Sequence, residues 1–242
     1  MTLNLLLLLF AGGVPYYLLL EKAKLDSKII FVVSASLLAL ATLLSLSSKT
    51  IESDLLLLIT FVNTLFTIYK ASKTTNFYKL GYYLIFINAP FFLLFEANGA
   101  KYSLSLLISL LGLYLIGRFY EKNYASANYH YIRGITLSTP FIGTFLTIYL
   151  ITLALYPPFP NALYFFNYLV DVEPTLACYG IVVTIFFGNF ALAMKVMRES
   201  LFGRPNPNIH YVDLSTSEKL THFGVVILLL ILSITGLQEI LL

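Results

Sequence analysis

Lys70, Lys73, Asp171 and Glu173 are the side chains best placed to take up or release a proton in a sequence that carries little charge. Lys70, Lys73 and Lys79 flank two apolar runs, and Asp171 and Glu173 follow a third just before Pro174. Ionisable groups at the edge of hydrocarbon are costly, and where they occur within membrane spans they mark proton or ion paths. The same residue types have a plainer use. Lysines at span ends set topology, and Asp-Val-Glu-Pro fits a short exposed turn. Glu121, between Arg118 and Lys122, is expected to form a local surface ion pair.

A second candidate is a break in a helix. Pro157, Pro158 and Pro160, followed by Asn161, put three prolines in four positions. A regular helix cannot hold them, because proline lacks the amide donor and clashes with the preceding turn. In lipid the freed backbone groups have no water to bond, so a break must be buried in protein or line a wet cavity. Discontinuous helices form ion and substrate sites in transporters; a kink that only shapes packing is the other reading. Asn161 and Asn167 can bond to freed backbone groups.

The elements around these residues are membrane helices. The 242 residues are 59% hydrophobic and 11% charged, with a mean hydropathy of +0.85, whereas a soluble domain is about 25% charged. Runs free of Asp, Glu, Lys and Arg cover 1–20, 29–48, 55–69, 80–95, 102–117, 134–170, 174–194 and 220–238. A crossing helix needs about 20 residues, fewer if flanking lysines reach to the interface. The runs lack the strict alternation of a membrane β-barrel. The start, Met-Thr-Leu-Asn, has neither a basic segment nor a small-residue cleavage site, so residues 2–20 are expected to be a mature span. If 134–170 crosses once as two half-helices, 13 of the 15 lysines and arginines fall on one side. The expected fold is therefore an all-α polytopic transmembrane bundle of about eight spans. It has one discontinuous helix near 134–170 and both termini on the outer side.

Net charge of +3 gives no signal for nucleic acid. The lone Cys178 excludes a disulfide framework or a cysteine-ligated cluster within the chain. His130, His210 and His222 show no ligand spacing. Ser215 and Glu218 form a capping-box pattern that starts the last helix.

Four stretches, in order, resemble a known family. They are Tyr120-Glu121-Lys122; Arg133-Gly134-Ile135 with Pro140; Leu153 to Asn161 around the prolines; and Met197 to Gly203 continuing through Tyr211-Val212-Asp213-Leu214-Ser215 to Glu218, then a last span containing Gly236. Together they resemble the end of an antiporter-like subunit of respiratory complex I, and are most similar to NADH–ubiquinone oxidoreductase chain 4. The likeness covers residues 101–242 and is weak over 1–100. Within one membrane domain it implies the C-terminal half of such a subunit, with the N-terminal half encoded separately. It further implies proton translocation coupled to electron transfer from NADH to ubiquinone, and other membrane-arm subunits and lipid as partners. NADH, FMN, iron–sulfur clusters and ubiquinone are then expected on other subunits, with no cofactor in this chain. The implied location is the mitochondrial inner membrane, or else a bacterial or archaeal cytoplasmic membrane. A multisubunit cation/proton antiporter, a membrane hydrogenase and a non-conducting scaffold are the alternatives. Two positions depart from the family. Phe165 stands where a channel glutamate is expected, and Ser105-Leu106 stands near a His-Gly pair. Lys70 lies where the family has a lysine, after Ile68-Tyr69 in place of Asp-Leu.

Overall fold

The computed structural model describes residues 7–45, 54–94, 96–170 and 176–241, so Asp171 and Glu173 lie outside the described residues. Each of the eight apolar runs contains helix. A short helical stretch at residues 7–10 leads to α1 (Tyr17–Lys22). There follow α2 (Ser27–Ser45), α3 (Asp54–Lys73), α4 (Phe77–Leu94) and α5 (Glu96–Tyr124). The chain continues with α6 (Ile135–Ser138), α7 (Pro140–Leu153), α8 (Pro160–Val170) and α9 (Leu176–Val196). A π-helical turn, Met197–Leu201, extends α9, and α10 is Thr216–Leu241.

Local chemistry explains the helix starts. Asp26 accepts the amide of Lys28 at 3.3 Å at the head of α2. Asn76 accepts those of Tyr78 and Lys79 at 2.9 and 3.2 Å at the head of α4. These are N-cap bonds to otherwise unpaired helix amides. The expected box at α10 is present: Glu218 accepts the Ser215 amide at 2.9 Å, and Ser215 Oγ accepts the Glu218 amide at 3.4 Å. Pro140 and Pro160 open α7 and α8, where a missing amide donor is harmless.

Among the described residues five helices are long and apolar enough to cross a membrane: Ser27–Leu44, Leu55–Lys73, Gly99–Tyr124, Cys178–Leu201 and Thr216–Leu241. The 29 residues of α5 span about 43 Å. It is the central post and touches α2, α4, α7, α8 and α10. Beside it, α4 is buried on every side from Leu80 to Phe91, which suits a helix that is apolar all round. The outer helices α2, α3 and α10 instead turn large apolar side chains outward, among them Leu43, Leu55, Leu58, Ile234 and Leu237. That surface faces hydrocarbon in a membrane.

The expected discontinuous helix is present, and among the described residues a second apolar run is interrupted as well. The first run, expected to be one continuous span, is interrupted between residues 10 and 17. Gly12 adopts φ +84°, which an L side chain resists. Pro15 has no amide to continue the ladder. The second break is the expected one: α7 ends at Leu153 and α8 resumes at Pro160.

Close packing of α2 on α4 rests on Gly81. A β-carbon there would lie 2.1 Å from Cε2 of Phe31. Small residues let membrane helices approach this closely. Gly81→Ala is expected to force the Phe31 ring aside and cost about 1–3 kcal/mol, read as a lower melting temperature in detergent. Gly224→Ala, with open space around it, is the neutral control.

Candidate functional site

The site is built on α3. Thr60, Asn63, Thr64 and Thr67 are buried, while Leu58, Val62, Leu65, Phe66 and Tyr69 are exposed. Those polar residues recur at i, i+3, i+4 and i+7, one helical face, and that face turns into the bundle. Polar side chains directed inward bond across helices, and here they connect the first break to a charge pair. Asn63 Nδ2 donates to the carbonyl of Gly12 at 3.0 Å, satisfying a group freed by the break. Thr67 Oγ1 donates to Asn63 Oδ1 at 3.2 Å. The single hydroxyl proton of Thr67 is thereby used, so the 3.0 Å contact with Tyr17 has the tyrosine as donor. Lys70 lies one turn further along α3, with its Nζ 5.3 Å from the centre of the Tyr17 ring.

At the basic end of the bundle Lys70 Nζ meets Glu21 Oε2 at 2.5 Å, with side chains 27% and 22% exposed. Tyr82 and Tyr83 of α4 both donate to Glu21 Oε1 at 2.7 Å. Glu21 sits just beyond the first apolar run. Burial alone pushes its pKa up, but the hydrogen bonds from Lys70, Tyr83 and Tyr82 and the lysine charge outweigh this and hold it below the usual carboxylate range. Its stabilising contribution is therefore present above that range and is lost as pH falls through the depressed value.

A second set of polar groups surrounds the second break. On α5, Tyr102, Ser105 and Ser109 share one face. Ser105 Oγ donates to Asn161 Oδ1, and Ser109 Oγ lies 3.4 Å from the same atom. Asn161 thus binds side chains of α5 rather than the freed backbone, and its buried Nδ2 has no partner among the described residues. Tyr102 OH donates at 2.7 Å to Asn88 Oδ1. Asn88 and Asn189 exchange amide hydrogen bonds of 3.1 and 2.8 Å, tying α4 to α9. The Phe165 ring stands beside Tyr102, fully buried and stacked 4.7 Å from Phe91.

The amide pair predicts a non-additive result. Asn88→Leu or Asn189→Leu alone strands a buried amide and is expected to cost about 1–3 kcal/mol. The double variant is expected to lose less than the sum, measured as melting temperatures in a double-mutant cycle.

A cleft of about 490 Å3 opens at the basic end, lined by Lys28, Arg118, Glu121, Lys122, Glu218 and His222 among others. Glu121 pairs with Lys28 at 2.6 Å, 93 residues away, and not with its neighbours as expected. Tyr78 OH donates to it at 2.9 Å. Lys122 pairs with Glu218 at 2.9 Å. His222 is only 2% exposed. Its Nδ1 bonds Tyr149 OH at 2.8 Å, and Phe145 stacks on its ring at 5.0 Å.

Of the residues singled out by sequence, Lys70 enters the first chain and Asn161 the second. Lys73 is exposed, with its ammonium 4.1 Å from the centre of the Tyr69 ring. Pro157 and Pro158 are exposed, and Pro160 is buried. Glu21, Asn63, Thr67, Asn88, Asn189 and the Tyr149–His222 pair were not anticipated. The polar face of α3 was readable from its 3.6-residue period. The Asn88–Asn189 contact, 101 residues apart, leaves no such signal.

An all-α, multi-pass membrane bundle with, among the described residues, two interrupted helices and buried polar side chains beside each break defines the class of this protein. Among solved structures, it is similar in fold to a chain in the structure of the Mrp complex from Dietzia sp. DQ12-45-1b. That likeness has a TM-score of 0.57 and 14% sequence identity over 78% of this chain. The match spans only 36% of the Mrp-complex chain. No protein-family model and no curated protein matches the sequence.

Proposed function

We propose that this chain is an antiporter-like membrane subunit that conducts protons within a larger multisubunit assembly. The observation that carries the reading is the hydrogen-bonded chain from the Gly12 carbonyl through Asn63 and Thr67 to Tyr17, whose ring centre lies 5.3 Å from Nζ of Lys70 in the Glu21–Lys70 pair. A lysine and a carboxylate that can exchange a proton, beside hydroxyls that can relay one, suit proton transfer at the end of a membrane path. Broken helices are the usual frame for such paths. Asn88, Asn189, Tyr102, Ser105, Ser109 and Asn161 form a second polar region. There Phe165, in place of a carboxylate, makes that region the weaker conductor.

The shared fold supports a place beside partner subunits, as in the Mrp complex. Physical chemistry supports it too. Tyr156, Pro157 and Pro158 at the second break are exposed on this chain alone, and a break at that position needs cover from protein in a membrane. The finer proposal places the chain in the membrane arm of respiratory complex I. NADH, FMN, iron–sulfur clusters and ubiquinone would then be carried by other subunits, and the N-terminal half by a separately encoded partner. A multisubunit cation/proton antiporter is the alternative, and the Mrp-complex likeness favours it equally. Lys73, Asp171 and Glu173 remain proposed entry or exit groups.

The test is reconstitution of the native assembly into vesicles containing a pH-sensitive dye. Glu21→Gln is expected to remove most proton flux while the subunits still co-purify; unchanged flux overturns the reading. A protein inventory of the same preparation separates the two assemblies. Flavin, iron–sulfur absorbance and NADH oxidation identify complex I, and sodium-dependent flux without them identifies an antiporter.

A further inference from the structure

A second cleft of about 510 Å3 lies at the basic end, away from the polar chains, lined by His130, Arg133, Arg198, Glu199, Phe202, Gly203 and Arg204. Three guanidinium groups from separate stretches converge there: Arg133 from the loop before α6, Arg198 from the π-helical turn, and Arg204 from the segment after it. α6, which follows the loop, is joined to the turn, since Thr136 Oγ1 donates to the Leu201 carbonyl at 2.5 Å.

Among the described residues one acid, Glu199, lines the cleft with the three arginines. Glu199 faces His130 Nδ1 at 3.6 Å and Arg198 at 3.8 Å, and is itself 15% exposed. Arg133 is held in place: its Nε donates to the His130 carbonyl at 3.1 Å, and its Nη2 lies 2.8 Å from the His130 ring. That uses two of its five N–H donors. No acid pairs with Arg133 or Arg204 among the described residues. With His130 neutral the cleft carries a net charge of +2.

Phe202, 62% exposed, lines it, and Tyr131 and Leu137, 65% and 80% exposed, stand one and four residues from its His130 and Arg133 in the chain. The cleft also sits where the π-helical turn ends and just before α6 begins, at an end of the helical bundle. Fixed guanidiniums match phosphate oxygens, each offering paired N–H donors. Exposed aromatic and aliphatic side chains beside them match acyl chains. A free phosphate would use the arginines and leave the apolar rim without a role.

We propose that this cleft binds the phosphate headgroup of an anionic phospholipid, with the acyl chains lying along Phe202 and Leu137. Basic pockets between helices at the positively charged face of a membrane protein take such headgroups. The site is independent of proton conduction and stands whether or not the polar chains carry protons.

The test uses the native assembly in mixed micelles of phosphatidylcholine and phosphatidylglycerol, with retained lipid counted by native mass spectrometry. The unmodified protein is expected to retain phosphatidylglycerol in preference to phosphatidylcholine. The Arg133→Gln/Arg204→Gln variant is expected to bind it roughly 10–30-fold more weakly, and Lys24→Gln, an exposed lysine at the same end, to behave as unmodified. Arg198→Gln, altering a side chain 79% exposed, reads the same effect if the double variant misfolds. Inorganic phosphate forms the second arm. Displacement of the lipid only at high phosphate supports the lipid site. Phosphate binding without a preference between the two lipids makes this a free-ion site and overturns the proposal, as does equal phosphatidylglycerol retention by native and arginine variants.

Discussion

Replacing Lys70 with methionine is expected to abolish proton flux through the assembly and to lower its stability by about 1–3 kcal/mol, the cost of leaving a partly buried group without its partner. Glu21 then keeps only the hydroxyls of Tyr82 and Tyr83. Glu21→Gln strands the lysine in the same way, with only the Tyr17 and Tyr83 rings near it. The double variant Lys70→Met/Glu21→Gln separates structure from transport. Both charges are gone, so neither is left uncompensated, and replacing both members of a sheltered pair is often close to neutral. Its melting temperature is expected to lie nearer the unmodified protein than that of either single variant. Its flux is expected to be as low as theirs, because no titratable pair remains. Dye-reported flux that recovers with stability in the double variant makes the pair a structural clamp and removes it from the path.

The apolar runs were readable because hydrophobicity is a local property of the chain. Their ends were also readable, since lysines and capping residues such as Asn76 and Ser215 mark them. The first break was hidden because Gly12-Gly13-Val14-Pro15 lies inside a charge-free run. Length and charge alone do not register one proline and one positive φ, whereas Pro157, Pro158 and Pro160 together stop a helix visibly.

Pairing across helices was much harder to read. Lys70 drew notice as a lysine near a span end, but its partner lies 49 residues away, just past the first apolar run. Glu121 shows the converse. Its neighbours Arg118 and Lys122 offered an obvious local pair, yet the packing of α5 against α2 brings Lys28 to it at 2.6 Å. Long-range contacts such as this depend on which faces of which helices meet. In a chain apolar nearly all round, the usual amphipathic stripe that reveals a buried face is inverted or absent. On α3 the inversion was itself the signal, with threonines and an asparagine inward and leucines outward.

Phe165→Ala is expected to cost about 3–5 kcal/mol, the range for emptying a packed aromatic site. The ring is fully buried and stacks on Phe91 at 4.7 Å, with Tyr102 and Phe166 close by. Stability is only half of the expected result. The ring lies 6.1 Å from that of Tyr102, which leads to Asn88 and Asn189, and Asn161, with its unpartnered Nδ2 and its contacts to Ser105 and Ser109, sits one helical turn earlier on α8. A cavity bounded by polar groups of this kind takes up water, while a purely apolar one stays dry. Removing the ring is thus expected to join the two polar sets and raise the passive proton leak of reconstituted vesicles under an imposed potential. Phe165→Leu keeps most of the volume and the apolar surface. It is expected to lose less stability and to leave the leak at its original level. If alanine and leucine leak alike, the aromatic side chain is packing alone, and the second polar set is not a proton path held shut by Phe165.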